Sequence, residues 1–302
     1  MDNLEQNVIA EIAQSSITEQ RRSRRWKIFF RFLYLALALI VFIVLNRNDS
    51  ASHQAPHTAI VDLYGVISSG APANAYDVIS GLEDAFSNSF VKGVILRVNS
   101  PGGSPVQSEL INQEVKRLRG LHPDVPFYAV VEDLCASGGY YVAVAADQIY
   151  VAPSSIVGSI GVRMDGFEFS EALKNLGIKR RLLTAGKNKG FLDPFTPMKP
   201  EQRAHATSIL DNIHQQFIDA VTVGRGERLA DNPEIFSGLV WTGEQAIALG
   251  LVDAYGSVLS VSRDVIGAPE LVNYSVGESL GERLARKIGS EIYNKTMSYS
   301  LF

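Results

Sequence analysis

Between residues 59 and 152, short β-branched runs alternate with stretches whose apolar residues recur at helical spacing, which limits the fold more than any other feature. Ala59 to Ile67 reads as a strand, and Asp77 to Phe86 as a helix with Val78, Ile79, Leu82, Ala85 and Phe86 on one face. Val91 to Val98 is a second strand, followed by a helix carrying Val106, Leu110, Ile111, Val115 and Leu118. Phe127 to Val131 is a third strand, Tyr140 to Ala146 a buried helix, and Gln148 to Ala152 a short strand. Short turns join them. The alternation predicts an α/β fold with right-handed crossovers and a mainly parallel sheet buried on both faces.

In such a sheet ligands collect beyond the carboxyl ends of the strands. Two glycine-rich turns fall there: Ser100-Pro101-Gly102-Gly103-Ser104, and Asp133 to Gly139 with Ser137 inside it. A serine between a strand end and a helix start lies near unpaired N–H groups, where developing negative charge is stabilised. Consecutive glycines after a proline can turn N–H groups inward, as an oxyanion hole requires. The competing reading is that Ala-Ser-Gly-Gly only permits close packing of helix on sheet. Cys135 stands where G-x-S-x-G needs its first glycine, so the nucleophile-elbow motif is not met. It is the only cysteine, which excludes an intrachain disulfide and any multi-cysteine metal site, and it is a second possible nucleophile.

A serine nucleophile needs a base. His122 lies in a Gly-Leu-His-Pro turn, and His205 and His214 in a long polar helix, so surface positions are expected for all three. A lysine can serve where burial disfavours its charge. Arg180 to Ala185 reads as a strand leading into Gly186-Lys187-Asn188-Lys189-Gly190-Phe191, where lysine lies among glycine and aromatic residues. Lys199 to Val223 reads as a helix with Ile209, Ile213, Phe217, Ile218 and Val221 on one side, packed on the core or on a neighbouring subunit.

Ile28 to Leu45 is an apolar run interrupted only by Arg31, about long enough to span a hydrocarbon core. Arg21, Arg22, Arg24, Arg25 and Lys27 precede it and Arg47 alone follows closely, which places the N-terminus in the cytoplasm and the bulk of the chain outside. Ser50, Ala51 and Ser52 are small, so a cleaved signal peptide is the alternative. The expected organisation is a basic cytoplasmic tail over 1–27, an anchor over 28–45, a polar linker over 46–58, a globular domain over 59–268 and a tail over 269–302. Beyond residue 50 the chain holds 21 Lys and Arg against 27 Asp and Glu. That acidic balance argues against nucleic acid as the main partner.

Taken together these residues resemble the signal peptide peptidase A family, membrane-anchored serine proteases with a Clp protease or crotonase-like core of repeated ββα-type units. The resemblance runs from about Ile60 to Ser260. It rests on Asn99-Ser100-Pro101-Gly102-Gly103, Ala136-Ser137-Gly138-Gly139-Tyr140-Tyr141, Ser155-Ile156-Val157-Gly158-Ser159-Ile160-Gly161-Val162 and the Gly-Lys-Asn-Lys loop. Gly238-Leu239-Val240-Trp241-Thr242-Gly243 and Gly250-Leu251-Val252-Asp253 extend it. Asn188 departs from the aromatic residue often found before the lysine.

The resemblance implies that Ser137 is the nucleophile, Lys189 the general base and Ser159 the residue orienting the lysine. It implies backbone N–H groups of Gly102 or Gly103 and Gly138 in the oxyanion hole, with no metal or organic cofactor. Expected substrates are membrane-associated peptides such as remnant signal peptides. This single-copy chain is about half as long as the duplicated members, so a ring-like homo-oligomer is expected, with neighbours completing each site. The setting implied is the inner (cytoplasmic) membrane, crossed once, with the catalytic domain on the periplasmic or extracellular side. A catalytically inert membrane-anchored scaffold and a crotonase-like acyl-thioester binder are the competing functions.

Overall fold

The computed structural model describes residues 24–40 and 54–276. The chain divides into two compact units between His53 and Gln54. In the first, residues 24–40 form helix α1, whose Trp26 stacks on Phe30 at 5.7 Å. Among the described residues no helix is long and apolar enough to cross a membrane. The end of the expected anchor, 41–45, lies outside them, as do 1–23 of the basic tail, 46–53 of the linker and 277–302 of the C-terminal tail.

The second unit opens with β1 (His57–Tyr64), α2 (Ala75–Ser87), β2 (Val91–Ser100), α3 (Pro105–Leu121), β3 (Phe127–Ala136) and α4 (Gly138–Ala143). It continues through β4 (Gln148–Val151), β5 (Ile156–Gly158), α5 (Ser170–Asn175) and α6 (Pro200–Arg225). β6 (Val240–Thr242), α7 (Gly243–Ala248), β7 (Ala254–Tyr255), α8 (Val258–Ser260) and β8 (Leu271–Asn273) complete it. The eight strands form one sheet with the main order β6-β5-β3-β2-β1-β8. Every pairing is parallel except β5 with β6.

Local chemistry places the helices where periodicity predicts. Asn74 accepts from the Asp77 N–H at the start of α2, and Ser104 accepts from Gln107 before Pro105 opens α3. Alternation along the strands then sends Val61, Leu63, Val94, Leu96, Val98, Ala129 and Val131 into one core with Leu82, Phe86, Ile111 and Val115. The opposite face is thinner than expected. It holds a small cluster of Ile95, Val130, Tyr150 and Val261, and beyond it Arg97 pairs with Asp62 at 2.7 Å. The sheet is therefore deeply buried on one face and partly polar on the other.

β3 is the pivot. Its first half pairs with β4 at Tyr128–Val130, and its last residues pair with β5 at Leu134–Ala136. Against β2 the register jumps from Val98↔Val131 to Ser100↔Cys135, so β3 carries extra residues and changes neighbour there. The sheet also reaches past the expected domain edges. His57, read as linker, is fully buried at the start of β1 and bonds Tyr274 Oη at 2.9 Å, and β8 pairs with β1.

α6 is partly exposed over its first turns and buries Phe217, Ala220, Val221 and Arg225 near its end. Arg225 is 1% exposed and grips both carboxylate oxygens of Asp253 at 2.8 and 2.9 Å, with a third bond to the Gly250 carbonyl. Burial pushes the Asp253 carboxyl up, but the Arg225 bonds, the Ile149 N–H and the charges of Arg225 and Arg228 outweigh it and hold it below the usual range.

Candidate active site

Ser137 is the single residue between β3 and α4, and its backbone is held at φ 52 and ψ −122. A serine rarely adopts positive φ, and it stays there only where its surroundings fix it. Its N–H donates to the Gly158 carbonyl at 2.8 Å and its carbonyl accepts from Tyr141 at 2.9 Å. The strand-to-helix turn thus lifts the hydroxyl off the sheet even though the G-x-S-x-G pattern is absent.

The 100–104 turn packs directly on it. A Cβ on Gly102 would lie 2.5 Å from the Gly138 nitrogen, and one on Gly138 would lie 2.4 Å from Ser108 Oγ. Neither position has room for a side chain. The Gly102 N–H is occupied by Ser100 Oγ at 3.1 Å. Ile67 donates to the Gly102 carbonyl and accepts from Ser104, which leaves the Gly103 N–H on the side away from Ile67. A Cβ on Gly138 would also lie 3.2 Å from that nitrogen.

Ser159 follows β5 as Ser137 follows β3, also with φ 52, and its N–H donates to the Leu239 carbonyl at 2.7 Å. Ser137, Ser159, Gly102, Gly103 and Gly138 line one cleft of about 670 Å³. Its walls come from distant segments: Val66, Tyr141, Val162, Arg163, Ile213 and Phe217. Sequence reading missed Ile213 and Phe217 as walls, because only the crossing of α6 brings them to the cleft; the apolar side of that helix was the one available signal.

Lys189 stands apart from this group. It is exposed in the 186–190 turn, where its N–H bonds the Gly186 carbonyl at 3.1 Å, and it is not among the residues lining the cleft. Lys187 is likewise exposed and outside it. The expected strand over Arg180 to Ala185 does not form in this chain. No neighbouring strand pairs with it among the described residues, and a strand without a ladder has little to hold it. The surrounding segment instead presents apolar side chains to solvent, with Phe167 77%, Leu176 72% and Leu183 95% exposed.

The remaining candidates separate by burial. Cys135 is fully buried in the core, and burial pushes its thiol far above the ordinary range, which makes it a poor nucleophile. His122 packs on Phe86 and His205 on Phe191. His122 and His214 are both half-buried, so the expected exposure holds only for His205, and His214 bonds the Ile160 carbonyl at 3.2 Å. Among the described residues no group of three or more His, Cys, Asp or Glu is arranged to hold a metal ion.

Fold and site define a class: an α/β protein that presents a serine at a strand-to-helix turn, packed against a neighbouring glycine turn. The profile of peptidase family S49 matches residues 121–265. The chain is 34% identical over 229 residues to a protein of Methanocaldococcus jannaschii provisionally named a protease, covering 71% of this chain and 73% of that one. It is 32% identical over 220 residues to protease 4 of Haemophilus influenzae, 71% of this chain and 35% of the relative. A protein of Brucella melitensis named as a Na(+)/H(+) antiporter is 45% identical over 213 residues, 69% of this chain but 29% of its own length. The chain therefore spans less than a third of some of its relatives. It belongs to peptidase family S49, the signal peptide peptidase A family.

Proposed function

We propose that this chain is a membrane-anchored serine endopeptidase that cuts membrane-associated peptides with Ser137 as nucleophile and Lys189 as general base. The observation that carries the reading is Ser137 itself, held at φ 52 between β3 and α4 with its Cβ packed against the Gly102 turn. Neutral Lys189 takes the Ser137 proton as Oγ attacks the peptide carbonyl carbon. The oxyanion then accepts from the N–H groups of Gly103 and Gly138, since the Gly102 N–H is already committed to Ser100. The lysine returns the proton to the leaving amine, and water hydrolyses the acyl-enzyme by the same route.

Lys189 lies outside the cleft of its own chain, so in this reading the base comes from a neighbour in a ring-like homo-oligomer. The exposed apolar side chains of Phe167, Leu176 and Leu183 around the lysine turn support it, since surface of that kind is commonly covered by a partner. Residues 28–45 anchor the chain in the inner membrane with the cleft on the outer side, where remnant signal peptides are the expected substrates. No cofactor is required by this chemistry. The test is hydrolysis of a fluorogenic peptide by Ser137→Ala, Lys189→Ala and Cys135→Ala. Loss in the first two with activity kept in the third is expected; full activity in Ser137→Ala ends the reading.

A further inference from the structure

We propose that His214 is a positioning residue that holds the Ser159 turn in its catalytic shape; this rests on the reading of Ser159 as the group that orients the base. Ser159 has φ 52, a conformation a serine leaves unless its neighbours hold it. Two bonds tether the turn, one at Ser159 itself and one at the Ile160–Gly161 peptide just after it. The Ser159 N–H donates to the Leu239 carbonyl at 2.7 Å, and the carbonyl of the next residue, Ile160, accepts from His214 Nε2 at 3.2 Å. A carbonyl only accepts, so the Nε2 atom carries the proton.

The bond ties two distant parts of the site together. Ile160 is fully buried two residues beyond β5, and His214 lies on α6 between Ile213 and Phe217, which both line the cleft that holds Ser137 and Ser159. α6 thereby sets the height of the Ser159 turn relative to the cleft wall. Without the bond, the peptide joining Ile160 to Gly161 is free to rotate on that side, and the turn that carries Ser159 Oγ loses one of its two tethers. Misplacement of an orienting group by about 1 Å is enough to cost up to ~10²-fold in rate.

Two amide substitutions in the full-length protein test this on a fluorogenic peptide. In His214→Gln the terminal nitrogen reaches the place of Nε2, whereas in His214→Asn it reaches only that of Nδ1. Both are polar and suit a half-buried helix site. The expected result is a kcat about tenfold lower in His214→Asn with KM within about twofold, and a kcat within about twofold of native in His214→Gln. Native kcat in His214→Asn, equal losses in both variants, or a change confined to KM overturns the proposal. Ser137→Ala, measured alongside, keeps the two readings distinct: activity surviving there removes the serine mechanism, whatever position 214 does.

Discussion

Ser137 and Ser159 are register neighbours: each is the first residue beyond the paired Ala136 and Gly158, and each carries φ 52. Adjacent strands lie about 4.8 Å apart, so two strained serines rise side by side from one edge of the sheet. They owe this to the shift of β3 from β4 to β5 at the irregularity opposite Asn99.

The glycine turn is a steric requirement of that arrangement. Gly138→Ala places a methyl group 2.4 Å from Ser108 Oγ, and Gly102→Ala adds strain at φ 90 to a 2.5 Å approach to the Gly138 nitrogen. Each is expected to lower kcat by at least about 10²-fold, the range for losing one oxyanion donor. Gly102→Ala is expected to be the less stable of the two by thermal melting, since backbone rather than a side-chain tip opposes it. Native kcat in Gly138→Ala would show that the turn does not contact the reaction.

If the base comes from a neighbour, two dead variants complement each other. Ser137→Ala and Lys189→Ala mixed before assembly are expected to regain a fraction of native peptide hydrolysis, because some sites then join an intact serine to an intact lysine. A mixture as inactive as its components would place the lysine in the cleft of its own chain.

A lysine base works only without its proton. The rate of peptide hydrolysis is therefore expected to rise toward alkaline pH. A flat or acid-favouring profile removes the lysine assignment while leaving Ser137 open to another base.

The Arg225–Asp253 pair governs stability. Asp253→Asn leaves Arg225, 1% exposed, without its anion and is expected to cost about 3–5 kcal/mol in chemical denaturation. The folded-state carboxyl is held below its ordinary range, so its contribution is complete above about pH 4 and is lost as the medium becomes more acid. The variant is expected to show a shallower loss of stability below that pH than the native chain.

Much of this was legible in the residues. The order of the elements from β1 to β4, many core positions and the two glycine turns follow from periodicity and turn chemistry, which act over a few neighbouring residues. Ser137 was visible because its turn sits between a β-branched run and an alanine-rich helix. Lys189 was visible only through the resemblance, for nothing near it in sequence separates it from a solvated lysine.

What local pattern cannot carry is distance across the fold. The burial of His57 depends on Tyr274, and the strand over Leu271–Asn273 exists because β1 offers it an edge. His214 looked like a surface residue until the crossing of α6 brought it to the Ile160 carbonyl. The sequence alone determined the strands and helices from β1 to β4 and the two glycine turns, because those choices are made by neighbours along the chain. Only the tertiary structure decided that Ser137, Ser159 and the Gly102–Gly103 turn share one cleft and that Lys189 stands outside it, because register and helix crossing are set by packing between segments far apart in the chain.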